Sequence, residues 1–534
     1  MASIPINKIQ KNNLIRAPRP WRRYIIHLIG AAFSLVLLLI FAGCASVGPS
    51  YVKPDAPQAD AWQEKDDKNI VSEEDVALDE WWKVFNDPVL DELVETAYRQ
   101  NLTLHTAAVR IAEARAQLGI AKGGLWPQTQ RLDAIYGYNK LSENASNIDP
   151  NVIETSYGEW GLGLDVAWEL DLWGKYRRAI ESGAAGLEAA IANYEDVLVT
   201  LTAEVARVYI LIRTLEERLL VARENVRIQE RSLQITEVRF EGGIVTELDV
   251  QQARSLLRST EALIPQLEAA LVRSKNTLSI LLGQLPGRID SVIDSQAPIP
   301  TASTQIAVGV PAELLRRRPD IRLAERRLAA QSPRIGIAKA DLYPQFALFG
   351  SIGFRSQDLS NFISADSIEF FAGPALRWNV LNYNRIRNSV RVQDARFQQL
   401  ILDYENTVLR AHGEVEDSMA SFLRSRERES LLAESVTASK RSVDLSLLQY
   451  SEGLVDFQRV LDTQRFLTLQ QDQYVSASGS VALSLINMYK ALGGGWEIRE
   501  GEDFIPEDIK QQMSERTKWG KLLEQEELDP QHSP

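Results

Sequence analysis

Residues 119–128, Gly119-Ile-Ala-Lys-Gly-Gly-Leu-Trp-Pro-Gln128, recur at 336–345 as Gly336-Ile-Ala-Lys-Ala-Asp-Leu-Tyr-Pro-Gln345, an offset of 217. Further along the correspondence runs at 210: Trp168 with Trp378, Tyr194-Glu195 with Tyr404-Glu405, Glu204-Val205 with Glu414-Val415, Gly243 with Gly453, and Leu282-Gly283 with Leu492-Gly493. A chain that contains one unit twice must fold that unit twice and cover the apolar face of one copy with the other. The change of offset falls in the turn between two strands. From Trp168 to Gly283 no insertion is admitted, a strictness that ordinary surface loops do not show.

Each copy reads as helix, two strands, very long helix, tight turn, helix. Between Gly174 and Glu241 there is no proline, and Ile191, Val197, Leu201, Val205, Val208, Ile212 and Leu215 recur at three- and four-residue spacing. At about 1.5 Å per residue this helix is on the order of 100 Å long. The returning helix, Glu247 to Gly283, covers about 55 Å, and Leu104 to Lys122 adds roughly 30 Å if stacked on its end. That predicts paired rods, one continuous and one assembled from two pieces. The second copy repeats the plan with Asn384–Ser451, Asp456–Leu492 and Pro319–Asp341. Pro286 to Pro300, rich in Pro, Asp and Ser, reads as the linker between copies, and Pro311 opens the second unit's helix. A solvated coiled-coil spacer satisfies the helices equally well; the strands decide between the two.

From Trp160 to Leu170 the chain alternates strictly, with Trp160, Leu162, Leu164, Val166, Trp168 and Leu170 on one face and Glu159, Asp165, Glu169 and Asp171 on the other. Gln130–Asn139, with Tyr136 and Tyr138, Gln345–Arg355, with Phe354, and Phe370–Val380, with Trp378, alternate likewise. Aromatic side chains toward the ends of strands of about ten residues fit a membrane barrel, where they mark the two interfaces. Four strands cannot close such a barrel, since the smallest use about eight, so closure requires further copies. The competing reading is a soluble four-stranded sheet.

Lys8, Lys11, Arg16, Arg19, Arg22 and Arg23 precede an apolar run from Tyr24 to Ala42, then Gly43-Cys44: the order of a secretory signal. The run is long enough for an uncleaved inner-membrane anchor, which needs about 20 residues. Cys44, the only cysteine, follows Phe41-Ala42-Gly43, which resembles the lipobox of bacterial lipoproteins with Phe in place of Leu; the alternative is an inert buried thiol. A single cysteine excludes internal disulfides. The net charge of −13 becomes more negative once the leader is removed, leaving no footprint for nucleic acid. The four histidines, His27, His105, His412 and His532, lie in no His-Glu-x-x-His context, and neither a Gly-x-Ser-x-Gly elbow nor a phosphate-binding Gly-x-x-x-x-Gly-Lys loop occurs. The expectation is a protein that is not an enzyme, holds no cofactor and draws its energy from a partner.

With these features in place, the sequence resembles the outer-membrane factor family, in its lipoprotein branch of OprM- and NodT-like proteins, with TolC more distant. The stretches that carry the likeness are Cys44-Ala-Ser-Val-Gly-Pro-Ser-Tyr-Val-Lys-Pro54, Trp81-Trp82 followed by Asp87-Pro88, Gly309-Val-Pro-Ala-Glu-Leu-Leu-Arg-Arg-Arg-Pro-Asp-Ile321, and both Gly-Ile-Ala-Lys segments. The resemblance implies a mainly α, TolC-like fold with a small transmembrane β part. It implies a homotrimer with a twelve-stranded barrel in outer-membrane lipid and twelve helical rods in the periplasm. Its partners would be a periplasmic adaptor and an inner-membrane pump of the resistance-nodulation-division class, and its task the export of small molecules. Ala45 after the lipidated Cys44 fits outer-membrane sorting. The expected order is a signal peptide at 1–43, an acylated segment at 44–80, repeats at 81–285 and 311–495 around a linker at 286–310, and an acidic tail at 496–534, wrapped near the equator or disordered. A conduit for secreted protein and a structural tether between envelope layers remain as alternatives.

Both long helices end in a glycine turn, at Gly243-Ile244-Val245 and Gly453-Leu454-Val455, where reversal calls for a positive φ. By resemblance these are the periplasmic tips that meet the adaptor. The resemblance further places Asp249, Tyr450 and Asp462 in a closed constriction. Where the family's second-copy acid would stand, one turn before Asp462, this chain has Arg459, which is expected to pair with Asp249 or Asp456. Exposed charge on a helix surface is the plain alternative, since such pairs contribute only about 0–1 kcal/mol.

Overall fold

The computed structural model describes residues 46–524 apart from 58, 60, 65–69, 73–77, 147, 150–151, 153, 290–292, 294–296, 302–305, 309–316 and 500. The leader, Cys44 and the expected helix start at Pro311 lie outside the described residues. A short strand β1 (Ile70–Ser72) precedes the first repeat, which comprises α1 (Pro88–Gln100), α2 (Leu102–Gly123), β2 (Thr129–Lys140), β3 (Ser156–Glu169), α3 (Lys175–Glu241), α4 (Glu247–Glu261) and α5 (Leu263–Leu281). After β4 (Ile306–Val308), which pairs in parallel with β1, come α6 (Pro319–Ala340), β5 (Gln345–Ser356), β6 (Ile368–Arg377), α7 (Arg385–Ser451) and α8 (Phe457–Ala491), then a tail helix α9 (Glu507–Arg516). Both long helices, α3 and α7, have 67 residues. No described helix is long and apolar enough to cross a membrane.

The first return rod departs from the expected single helix. It is two helices, α4 and α5, meeting at Ala262. Pro265 has no N–H to give to Glu261, and its ring crowds that carbonyl. The second copy has Val475 at the equivalent place, and α8 runs unbroken through 35 residues.

The chain divides into two compact units, each drawing on both repeats: one built around residues 123–179 and 335–390, the other around 50–122, 180–334 and 391–534. The first holds the antiparallel sheet, in the order β2-β3-β5-β6. The register sets Leu132 opposite Leu164, Leu164 opposite Ile352 and Ile352 opposite Phe370, so one face is apolar across all four strands. The other face carries Arg131, Asp133, Asp165, Arg355 and Glu369, with Arg131 paired to Asp133 at 2.6 Å and Arg355 to Glu369 at 3.1 Å. β6 ends at Arg377, earlier than expected, leaving Trp378 and Val380 outside it. Its neighbour β5 begins at Gln345, opposite Arg377, just after Pro344, which cannot donate to a ladder. Trp378 is instead tied by its Nε1–H to the Leu342 carbonyl at 3.0 Å.

The helical unit has a core of Trp81, Trp82, Leu90, Ile111, Tyr209, Leu278 and Ile486, each at most 3% exposed. Asp87 starts α1 by accepting from the Val89 and Leu90 amides, with Pro88 at the first turn where no N–H is needed. Its other oxygen accepts from the Tyr209 hydroxyl at 2.7 Å. The acidic tail packs on this core, burying Phe504, Ile505, Met513 and Leu523, while Arg115 donates to the carbonyls of Leu522 and Glu524.

Candidate functional site

At the two helix reversals the backbone is the same. Gly243 has φ +72° and Gly453 φ +74°, a left-handed turn that glycine adopts without a Cβ clash. The Gly243 and Ile244 amides donate back to the Phe240 and Arg239 carbonyls, and the Gly453 and Leu454 amides to Tyr450 and Gln449, so the last carbonyls of α3 and α7 are satisfied. The turn then divides its apolar residues. Ile244 is 70% exposed and Leu454 74%, whereas Val245 and Val455 pack against Ala253, Leu256, Tyr450, Phe457, Val460 and Leu461. Each reversal therefore seats one valine and presents one bulky aliphatic side chain outward.

Two of the acidic residues of the expected gate, Asp249 and Asp456, act first as helix caps. Asp249 accepts from both the amide and the hydroxyl of Thr246, at 2.9 and 2.8 Å, a capping box that starts α4. Asp456 starts α8 by accepting from the Arg459 amide at 3.2 Å. The expected pairing of the Arg459 side chain with Asp249 or Asp456 is absent among the described residues; Arg459 is exposed, and the contact with Asp456 is made by its backbone. Asp462, also exposed, accepts from Gln458 at 2.9 Å.

Tyr450 is the member of the set that is deeply placed. It is 4% exposed, packs on Phe457 at 5.3 Å between ring centroids, and its hydroxyl meets no partner among the described residues. Above its ring, at 4.4 Å, lies the guanidinium of Arg239, which also donates to the Tyr450 and Ser451 carbonyls, both at 2.8 Å. The last turn of α3 thus caps the last turn of α7 with a cation where the helix dipole favours one. Sequence reasoning passed over Arg239. Its only trace there is a basic residue in the final turn of one long helix whose counterpart in the other is Gln449.

Away from the tips, α3 and α8 share a polar seam, half-exposed at Arg218 and Asp472 and buried at Asn225, Ser232, Gln464 and Gln471. Arg218 forks onto Asp472 at 2.8 and 3.1 Å, Asn225 Nδ2 donates to Gln471 at 2.8 Å, and Gln464 Nε2 donates to Ser232 at 2.6 Å. Arg218, Asn225 and Ser232 are seven residues apart, as are Gln464 and Gln471, the repeat of a left-handed coiled coil in which polar layers fix register. Among the described residues no cluster of His, Cys, Asp and Glu is arranged to hold a metal ion.

The aromatic positions divide between hydrogen-bonded and stacked. Trp168 Nε1–H donates to the Leu125 carbonyl at 2.9 Å, Tyr136 packs on Trp160 at 4.4 Å, and Phe354 lies 6.3 Å from Phe362. Tyr138 is 70% exposed on the β2 edge.

A duplicated pair of very long helices, reversed at glycine turns and joined to hairpins with one exposed apolar face, defines a channel protein of the TolC type. The chain belongs to the outer membrane efflux protein family, whose model matches residues 93–284 and 310–494. It is 32% identical over 422 residues to the pyoverdine export outer membrane protein OpmQ of Pseudomonas putida, covering 78% of this chain and 88% of that relative. It is 29% identical over 460 residues to nodulation protein T of Rhizobium leguminosarum bv. trifolii, covering 86% and 96%. Among solved structures, the outer-membrane channel OprN superposes with a TM-score of 0.78 at 34% identity, over 84% of this chain and 99% of that one. The protein is an outer-membrane efflux channel.

Proposed function

We propose that three copies of this chain, each acylated on Cys44 after removal of residues 1–43, form the outer-membrane duct of a tripartite small-molecule efflux assembly. The observation that supports this most directly is the sheet: four strands, two open edges, and an apolar face whose Leu132, Tyr136, Ile352, Phe370 and Leu376 are all more than half exposed. Such a face needs lipid and such edges need strands, so twelve strands from three chains close a barrel that four cannot. The repeats at 81–285 and 311–495 then supply twelve rods to a periplasmic helical barrel. Ile244 and Leu454 are the anchors for a periplasmic adaptor, which couples the duct to an inner-membrane pump of the resistance-nodulation-division class. Tyr450, with Arg239 on its ring and Asp249, Asp456, Arg459 and Asp462 near it in the sequence of the tips, belongs to the resting closure. The chain itself performs no catalysis and binds no cofactor.

Two measurements test this. Purified protein placed in planar bilayers should conduct ions in steps and have the mass of three chains; a trimer that never conducts, or a monomer, overturns the duct. In cells lacking their own channel, Ile244→Asp combined with Leu454→Asp should abolish drug tolerance restored by the wild type, with outer-membrane level and trimer unchanged. Undiminished tolerance would remove the tips from adaptor binding.

A further inference from the structure

Two aromatic rings of the sheet lie on its polar face. Side chains alternate along a strand, so Phe349 shares the face of Ser351 and Arg355 on β5, and Phe371 that of Glu369 and Arg377 on β6. The register agrees: Phe349 stands opposite Ala167 and Gly373, and Phe371 opposite Ser351, itself opposite Asp165. The rings are diagonal neighbours across β5 and β6, with centroids 5.2 Å apart and planes at 39°. In the closed barrel proposed above this face lines the pore, where the wall is otherwise polar.

The pair is open to water. Phe349 is 38% exposed and Phe371 56%. Around them the same face carries Ala167, Ala347, Ser351, Gly373 and Ala375, none large enough to cover a ring. Phe349 gains sheet stability by lying across from Gly373, but Phe371 has a serine opposite and keeps most of its surface in solvent. Paired aromatic surface on a polar wall is a feature for contact with a second molecule.

The charge around the rings is negative. Asp165 and Glu169 flank Ala167 on β3, each about 7 Å along the strand from it. Arg131 lies 4.0 Å from Asp165 but 2.6 Å from Asp133, and Glu169 meets the Tyr176 hydroxyl at 3.3 Å. Across the four strands this face sets Asp133, Glu159, Asp165, Glu169 and Glu369 against Arg131, Arg355 and Arg377, an excess of negative charge.

We infer that Phe349 and Phe371 form a stacking platform in the pore wall that takes planar aromatic cations among the molecules in transit. A flat ring stacks on the two phenyl groups, and its positive charge is drawn both by their faces and by the carboxylates beside them. The platform is shallow and open on one side, which suits a duct, since a conducting path must hold its cargo weakly enough to release it. This rests on the duct reading and adds a class of cargo to it.

The test is block of the wild-type channel in planar bilayers by probes added on the barrel side. Ethidium carries a flat ring system and a positive charge, tetraethylammonium the charge alone. Ethidium should halve the current at about one-tenth the concentration that tetraethylammonium needs, a factor equal to about 1.4 kcal/mol. Phe349→Leu combined with Phe371→Leu keeps apolar bulk and removes the aromatic faces, so it should raise the ethidium requirement about tenfold and change that for tetraethylammonium less. Equal potency of the two probes on the wild type overturns the platform, as does ethidium block that the paired leucines leave untouched. If the leucine variant does not assemble, the two probes on the wild type decide alone. Asp165→Asn combined with Glu169→Gln should weaken block by both probes, and undiminished block there overturns the preference for a cation. A wild-type trimer that passes no current without probe fails the duct reading itself, a result distinct from a conducting channel indifferent to ethidium.

Discussion

At the end of the first return rod, Asn101 donates its side-chain amide to the Leu281 carbonyl at 2.8 Å; at the equivalent end of the second, Arg318 donates to the Ala491 carbonyl at 2.6 Å. The positions correspond in the two repeats and the acceptor is the same orphan carbonyl, yet the means differ. Asn101 also caps α2 through the Leu104 amide, at 2.9 Å. Arg318 brings a buried charge, and with it Asp320 at 2.8 Å and Glu414 at 2.7 Å. A neutral cap completes its site alone, whereas a cation buried to the same depth must bring its counter-ions. Duplication has therefore kept the backbone task and let the chemistry diverge, and transplanting a residue from one repeat to the other asks whether the task or the chemistry is what each site needs.

The largest effect is expected from Arg318→Asn, which installs the first repeat's residue in the second. Asn cannot reach three acceptors, so the Ala491 carbonyl and Asp320 lose their donor. Breaking a buried pair costs about 3–5 kcal/mol, and the low end, about 3 kcal/mol, applies because Glu414 is 57% exposed and keeps its water. Asn101→Ala, by comparison, removes one cap and one hydrogen bond, about 1–2 kcal/mol. Unfolding of both variants in detergent, followed by circular dichroism, should show the second repeat's site losing more. Equal shifts would mean that the ionic partners add nothing to the shared hydrogen bond.

Next comes the approach of α8 to α3. A Cβ on Gly479 would lie 2.4 Å from the Thr214 hydroxyl oxygen and 2.9 Å from its methyl. The first repeat has Ala269 in this place. Gly479→Ala gains about 1 kcal/mol of helix propensity and meets an overpacking cost of about 1–3 kcal/mol, so a net loss of about 1 kcal/mol is expected. A gain in thermal stability would show that the two helices can separate without cost.

What the sequence made legible follows from range. The alternation of β3 and the apolar spacing of α3 are local, and both elements formed within a few residues of the expected bounds. The break at Ala262 was equally local, written in Pro265, but reading the return rod as one helix over Glu247 to Gly283 hid it. The Arg-Pro-Asp stretch at 318–320 stood out as a motif, yet its task did not, because the carbonyl it holds is 173 residues away. The local contacts of the expected gate residues went unread for the opposite reason. Asp249 and Asp456 were expected to take the Arg459 side chain, and each is instead engaged three residues from itself, where a helix start supplies free amides. Arg239 acts over 211 residues of chain, and only folding reveals such a contact.

Arg239→Gln carries the Gln449 of the second repeat into the first. It should cost about 0.5–1 kcal/mol in stability, since glutamine retains one donor but loses the charge and the stacking on Tyr450. The functional consequence is larger than the structural one if the tips hold the closure: in planar bilayers the open fraction should rise several-fold, about what 1 kcal/mol delivers at equilibrium. A closed state as long-lived as the wild type's would confine Arg239 to helix capping.

The smallest effect is expected at Asp196, and only at pH values above the ordinary carboxylate range. Burial, and next the neighbouring Asp320 carboxylate, push the Asp196 carboxyl up to about 6, against the opposing pull of Arg318. The folded state therefore holds the proton more tightly than the unfolded chain, whose carboxyl has its ordinary value. Fold stability is undiminished at low pH, declines as pH rises from the ordinary carboxylate range through about 6, and is lowest once the group is fully ionised. The second repeat has Asn406 in this position. Asp196→Asn removes the charge without removing the amide-sized side chain, so it should raise the melting temperature at pH 8 and leave it unchanged at pH values below the ordinary carboxylate range. A variant that gains the same stability at both extremes would show that the packing of the amide, and not the ionisation of the acid, separates the two repeats here.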